Sequence, residues 1–161
     1  MAITLLVFGG SYFYASTSHE SFQSTLSIEP GLLHSLSKTL LAGSTITVNF
    51  QEESGNPLWV LIMNSAQWAS VENGRYVGSL YEVRDVAAGT FAYTTQTGDT
   101  YYIVFDHGSG LQNTNETVTV AYDYAIPNPT RQGLGILSAA LGGLMALIAL
   151  RTWRKTRGQS V

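Results

Sequence analysis

Cysteine is absent from the 161 residues. That removes a structural disulfide, a thiolate zinc site and a cysteine nucleophile. An oxidising compartment stays open, because a domain of this length buries enough core without a crosslink. Charge is scarce as well. Asp, Glu, Lys and Arg make up 12% of the chain, against about 25% in ordinary soluble domains. Ser, Thr, Gly and Asn fill the gap, a composition common in β-domains outside the cytoplasm. The formal net charge is −3. A nucleic-acid partner needs a basic face, so that class is excluded. Histidine is thin: His19, His34 and His107 are scattered without ligand spacing, so no metal site is expected, and no cofactor motif is present.

Long apolar runs, by contrast, stand at both ends. Leu134 to Leu150 carries no charge and is followed by Arg151, Arg154, Lys155 and Arg157. A spanning helix needs roughly 20 apolar residues. Residues 132–153 supply them, with Trp153 at interfacial depth and the basic tail, residues 154–161, on the cytoplasmic side. A buried core helix is the bland alternative, but little else in the chain looks helical enough to pack around it. Within the span, Gly135, Ala139 and Gly143 recur every four residues on one helix face. Small residues let two helices approach closely in lipid, so other membrane subunits are expected partners beside the bilayer itself. Residues 1–18 are apolar as far as Ala15 and then polar. They read as a signal peptide or as a retained first span. Either way the middle of the chain lies outside the cell membrane.

That middle, residues 19–125, reads as short strands broken by turns. Ile46, Val48 and Phe50 alternate with Thr45, Thr47, Asn49 and Gln51; Val118, Val120, Tyr122 and Tyr124 alternate in the same way. "PLWVLIM" and "YYIVF" are apolar on both faces and predict buried central strands, with Trp59 in the core. "GTFAYTT" and "SFQSTLSI" are further strands. "LHSLSKTLL" reads as strand or helix, and "NSAQWASVENG" as a short helical turn. Turn signals at Glu29-Pro30-Gly31, Ser54-Gly55-Asn56-Pro57 and Asn73-Gly74 complete the pattern of an all-β protein, an antiparallel β-sandwich or jelly roll. Residues 126–131 hold two prolines, a short linker that seats the domain close to the bilayer.

Two stretches carry a family resemblance: "AAGTFAYTTQTGDTYYIVFDHGS" and "NETVTVAYDY", the latter leading to a spanning helix and a short basic tail. The chain here resembles the GOLD domain, the lumenal β-sandwich of Golgi cargo receptors. The resemblance implies the sandwich and its membrane topology. This chain lacks that family's disulfide, its coiled coil and its coat-binding tail signals, so cargo-receptor function is not implied.

Candidate chemistry starts at Asp106 and His107. Neighbouring strand residues point to opposite faces, so the pair diverges and does not build a Ser-His-Asp triad. The loop after them offers Asp106, Asn113, Asn115 and Glu116 as oxygen donors, but solvated turn polarity is the default reading. Glu52 with Glu53, and Asp99 with Asp106, are thin bases for an enzyme. Trp68 sits among polar residues, so Trp68, Asp106 and His107 are the expected ligand or partner contacts. Asn115-Glu116-Thr117 is a glycosylation sequon. The expectation is a non-enzymatic, membrane-anchored accessory subunit. The alternative is a stand-alone receptor module for carbohydrate or peptide.

Overall fold

The computed structural model describes residues 17–107 and 115–128, together with Thr130, Leu134, Ile136, Leu137, Ala140, Leu141 and Leu144, all helical. Gly135, Ala139 and Gly143, most of residues 1–18, and the tail lie outside the described residues. Among those described, no helix is long and apolar enough to cross a membrane.

The elements run β1 (Thr17–Ile28), β2 (Leu33–Leu40), β3 (Thr45–Glu52), β4 (Leu58–Asn64), α1 (Ser65–Glu72), β5 (Tyr81–Val86), β6 (Ala88–Thr94), β7 (Asp99–Asp106) and β8 (Glu116–Pro127). They form two four-stranded antiparallel sheets, ordered β1-β8-β3-β6 and β2-β7-β4-β5. Residues 19–126 make one compact unit and the described residues flanking them another.

Alternation builds the core. Ile46, Val48 and Phe50 of β3 are buried, as are Val118, Val120 and Tyr124 of β8. From the other sheet come Leu58, Val60 and Ile62 of β4 and Tyr101, Ile103 and Phe105 of β7. Phe50 meets Phe105 edge-on, ring centres 6.2 Å apart, an arrangement favoured by the ring quadrupoles. The turn before β3 is locked by a buried threonine: Thr95 Oγ1 donates to the Leu41 carbonyl at 2.6 Å and accepts from the Ser44 amide at 3.0 Å.

Three sequence expectations are changed or settled here. "LHSLSKTLL" is a strand, because β2 pairs with β7 from Leu33↔Asp106 to Leu40↔Asp99. β5 had no counterpart in the sequence reading; its apolar positions are too few to mark it. Trp59 is not in the core. It stands half-buried on the outer face of its sheet, because β4 is apolar on both sides and Leu58, Val60 and Ile62 take the inner one.

Candidate functional site

The outer face of β2-β7-β4-β5 carries a second, smaller apolar cluster. Leu61, Met63 and Val104 are buried there, with Trp59, Trp68, Val71 and Tyr102 packed against them. Helix α1 covers part of it. The helix begins with a reciprocal cap: Asn64 Oδ1 accepts from the Gln67 amide at 2.9 Å, and Gln67 Oε1 accepts from the Asn64 amide at 3.1 Å. The helix buries no residue of its own fully, and eight residues are too few to be stable alone. Trp68 holds it down, stacked on Tyr102 with ring centres 5.1 Å apart.

Beside α1 the face is left open. A groove of about 350 Å³ is lined by apolar Leu33, Trp59, Leu61, Met63, Val71 and Val104, with Arg75, Tyr76 and Asp106 as its polar groups. Strand register sets its end wall, since Asp106 lies opposite Leu33 on one side and Trp59 on the other. Leu33 is 41% and Tyr76 57% exposed, so apolar surface reaches solvent.

Trp59 is clamped in place. Its indole N–H donates to Asp85 Oδ1 at 3.0 Å, and the Arg84 guanidinium lies 4.4 Å from its ring centre, within cation–π range. Asp85 has φ of 56°, the one non-glycine in the left-handed region among the described residues. Aspartate tolerates that region better than most residues, and such strain is concentrated at functional positions. Glu82 accepts from Arg84 at 3.0 Å, from Ser79 at 3.1 Å and from the Tyr76 hydroxyl at 3.2 Å, which joins the clamp to the groove wall. The hydrogen bond from Arg84, then that from Ser79, hold the Glu82 carboxyl below its ordinary range.

The three expected contact residues part company. Asp106 lines the groove, Trp68 stacks behind it, and His107 turns inward and is buried. Alternation along β7 accounts for the divergence: Tyr102, Val104 and Asp106 face out, while Tyr101, Ile103, Phe105 and His107 face in. The acid pairs are not paired either. Glu52 is buried and Glu53 exposed, and Asp99 and Asp106 are the two ends of β7. A Ser, a His and an Asp do meet elsewhere, with Asp123 accepting from Ser21 at 2.7 Å and lying 3.0 Å from His19. Both bind the carboxylate, so no imidazole is poised to take the serine proton. Asn115 is exposed just before β8. Among the described residues, those lining the groove include no serine, cysteine or histidine.

No protein-family model matches the chain, and no curated protein matches it. Among solved structures it is similar to PliG of Aeromonas hydrophila, a periplasmic inhibitor of g-type lysozyme. The identity is 16% and the TM-score 0.47, over 68% of this chain and 88% of that one. PliG of Salmonella Typhimurium matches at 12% identity and TM-score 0.43, over 65% and 86%. The Yersinia pseudotuberculosis-derived mitogen matches at 10% and 0.41, over 68% and 87%. None of these likenesses is close enough to carry an activity to this chain.

Proposed function

We propose that this chain is a non-enzymatic binding module on the outer face of the cell membrane, tethered by residues 132–153 and serving as an accessory subunit of a larger membrane complex. The groove beside α1 carries this reading. It pairs an apolar floor and one oriented indole with few polar groups, the usual make-up of a binding site. It also leaves apolar surface in water, which favours a partner. The tether is supported by Leu134, Ile136, Leu137, Leu141 and Leu144, helical and exposed at 49–62%. Aliphatic side chains in such a row suit lipid or a neighbouring helix. The resemblance to the GOLD domain fits the same arrangement of sandwich and anchor. A stand-alone receptor for a carbohydrate or peptide is the second reading, favoured by the clamped Trp59.

The absence of cysteine makes the test clean. Leu33→Cys puts a unique thiol at the groove mouth. After crosslinking from this thiol in native membranes and gentle detergent extraction, a stoichiometric adduct with one membrane protein is expected. The adduct should disappear when Tyr76→Ala and Val104→Ala alter the groove. Migration of the uncrosslinked chain alone, at monomer size, would sink the subunit reading and leave the receptor.

A further inference from the structure

One end of the sandwich buries three ionisable side chains that the groove does not use. Glu52 closes β3 in phase with Ile46, Val48 and Phe50. Glu116 opens β8 in phase with Val118 and Val120. His107 follows β7 in phase with Ile103 and Phe105. All three continue inward-facing rows. Register brings the carboxylates together: Glu52 pairs with Val118, so Glu116 is its diagonal neighbour on the same face, within reach of long side chains. His107 Nε2 lies 3.4 Å from Glu116 Oε1, the side chains 2% and 1% exposed.

Among the described residues the hydrogen bonding is incomplete. Glu52 Oε2 accepts from the Asn56 amide at 2.6 Å. Glu52 Oε1 and Glu116 Oε2 are buried with no partner among the described residues. A single imidazole can balance at most one carboxylate, and two carboxylates are buried here side by side. Buried charges left unpaired are relieved by taking up a proton. The neighbouring Glu53 is exposed and Asp106 faces the groove, so Glu52 and His107 are the charged groups that meet Glu116.

We propose that Glu52, Glu116 and His107 form a proton-binding site that makes the sandwich more stable in mildly acidic than in neutral surroundings. Burial pushes the Glu116 carboxyl up from its ordinary value, His107 opposes this, and Glu52 adds to it. A carboxyl raised on folding binds more proton in the folded state than in the unfolded one. Its stabilising contribution is therefore full below the ordinary carboxylate value and is lost as pH rises through the raised one.

The test uses the full chain in detergent micelles, unfolded thermally across pH at constant ionic strength. The wild-type midpoint should rise on mild acidification. In Glu116→Gln that rise should shrink, with the proton-linkage slope smaller by up to about one proton. On the folded protein, infrared spectroscopy should show a protonated carboxylic acid that Glu116→Gln removes. Should that variant not fold, Glu52→Gln serves, because removing the neighbouring charge should move titration of the same band to lower pH. Identical pH dependence in wild type and Glu116→Gln would overturn the proposal. So would a midpoint raised by added calcium with no protonated band, which would make the cluster a cation site.

Discussion

Helix α1 is fastened to the sandwich chiefly through Trp68, and Trp68→Ala should release it. The indole stacks on Tyr102 at 5.1 Å with the planes 16° apart, a pairing worth about 1 kcal/mol beyond burial. A tryptophan buries 150–250 Å² in a full core. Trp68 is half-buried, so about 100 Å² of apolar contact is lost, or roughly 2.5 kcal/mol at 25 cal/mol per Å². The bond from its N–H to Glu72 Oε1 at 2.8 Å joins exposed groups of the same helix and adds little. The total is about 3.5 kcal/mol, roughly three-hundredfold in the opening equilibrium at 1.4 kcal/mol per decade. Nothing intrinsic to eight residues replaces it. Hydrogen exchange read by mass spectrometry is the assay. Amides from Ala69 to Arg75 should exchange roughly three hundred times faster, while those of β3 hold their protection until global unfolding. Equal acceleration in α1 and β3 would mean the helix is part of one cooperative unit, and unchanged exchange in α1 would mean Trp68 does not hold it. Either result refutes the reasoning.

Three further outcomes are expected. Thr95→Val removes a buried hydroxyl that bridges the Leu41 carbonyl and the Ser44 amide; it should cost about 1–2 kcal/mol and lower the thermal midpoint by roughly 5 °C or more. Asp85→Ala loses the indole bond and keeps the left-handed backbone, so it should cost about 1–2 kcal/mol and change tryptophan fluorescence, whereas Asp85→Asn should stay close to wild type in both. For Asp123, burial alone would raise the carboxyl, but the hydrogen bonds from Ser21 and His19 outweigh it and hold the group low. Its contribution is present above the ordinary carboxylate value and fades as pH falls through the lowered one, opposite in sign to Glu116. In acid titrations of the thermal midpoint, Asp123→Asn should therefore lose less stability than wild type, by under about 1 kcal/mol because the site is near the surface.

Much of the scaffold was legible because alternation is physical. Ile46, Val48 and Phe50 announce a half-buried strand, and the doubly apolar β4 and β7 announce interior ones. The same apolarity concealed the groove. When both faces of a strand are apolar, a period of two has no contrast, so Trp59 looked like core. β5 escaped because Tyr81 is exposed and Val83 and Val86 are only partly buried, and its place is set by pairing with β4. The buried cluster could have been found. Extending the β3 row by one step reaches Glu52, and extending the β8 row backwards reaches Glu116. A carboxylate in phase with a core row is the signal. His107 follows a strand of the other sheet and reaches them only through the packing of sheet on sheet, which no local pattern carries.

The groove floor is made by strands whose opposite faces form the main core. Its backbone is therefore rigid before any partner arrives, and the Asp85–Arg84 clamp has already chosen the orientation of the Trp59 ring. Under the binding function proposed above, little ordering entropy remains to be lost on docking. Substitutions on this face should then act mainly through residence time, with association rates nearly constant from one variant to the next.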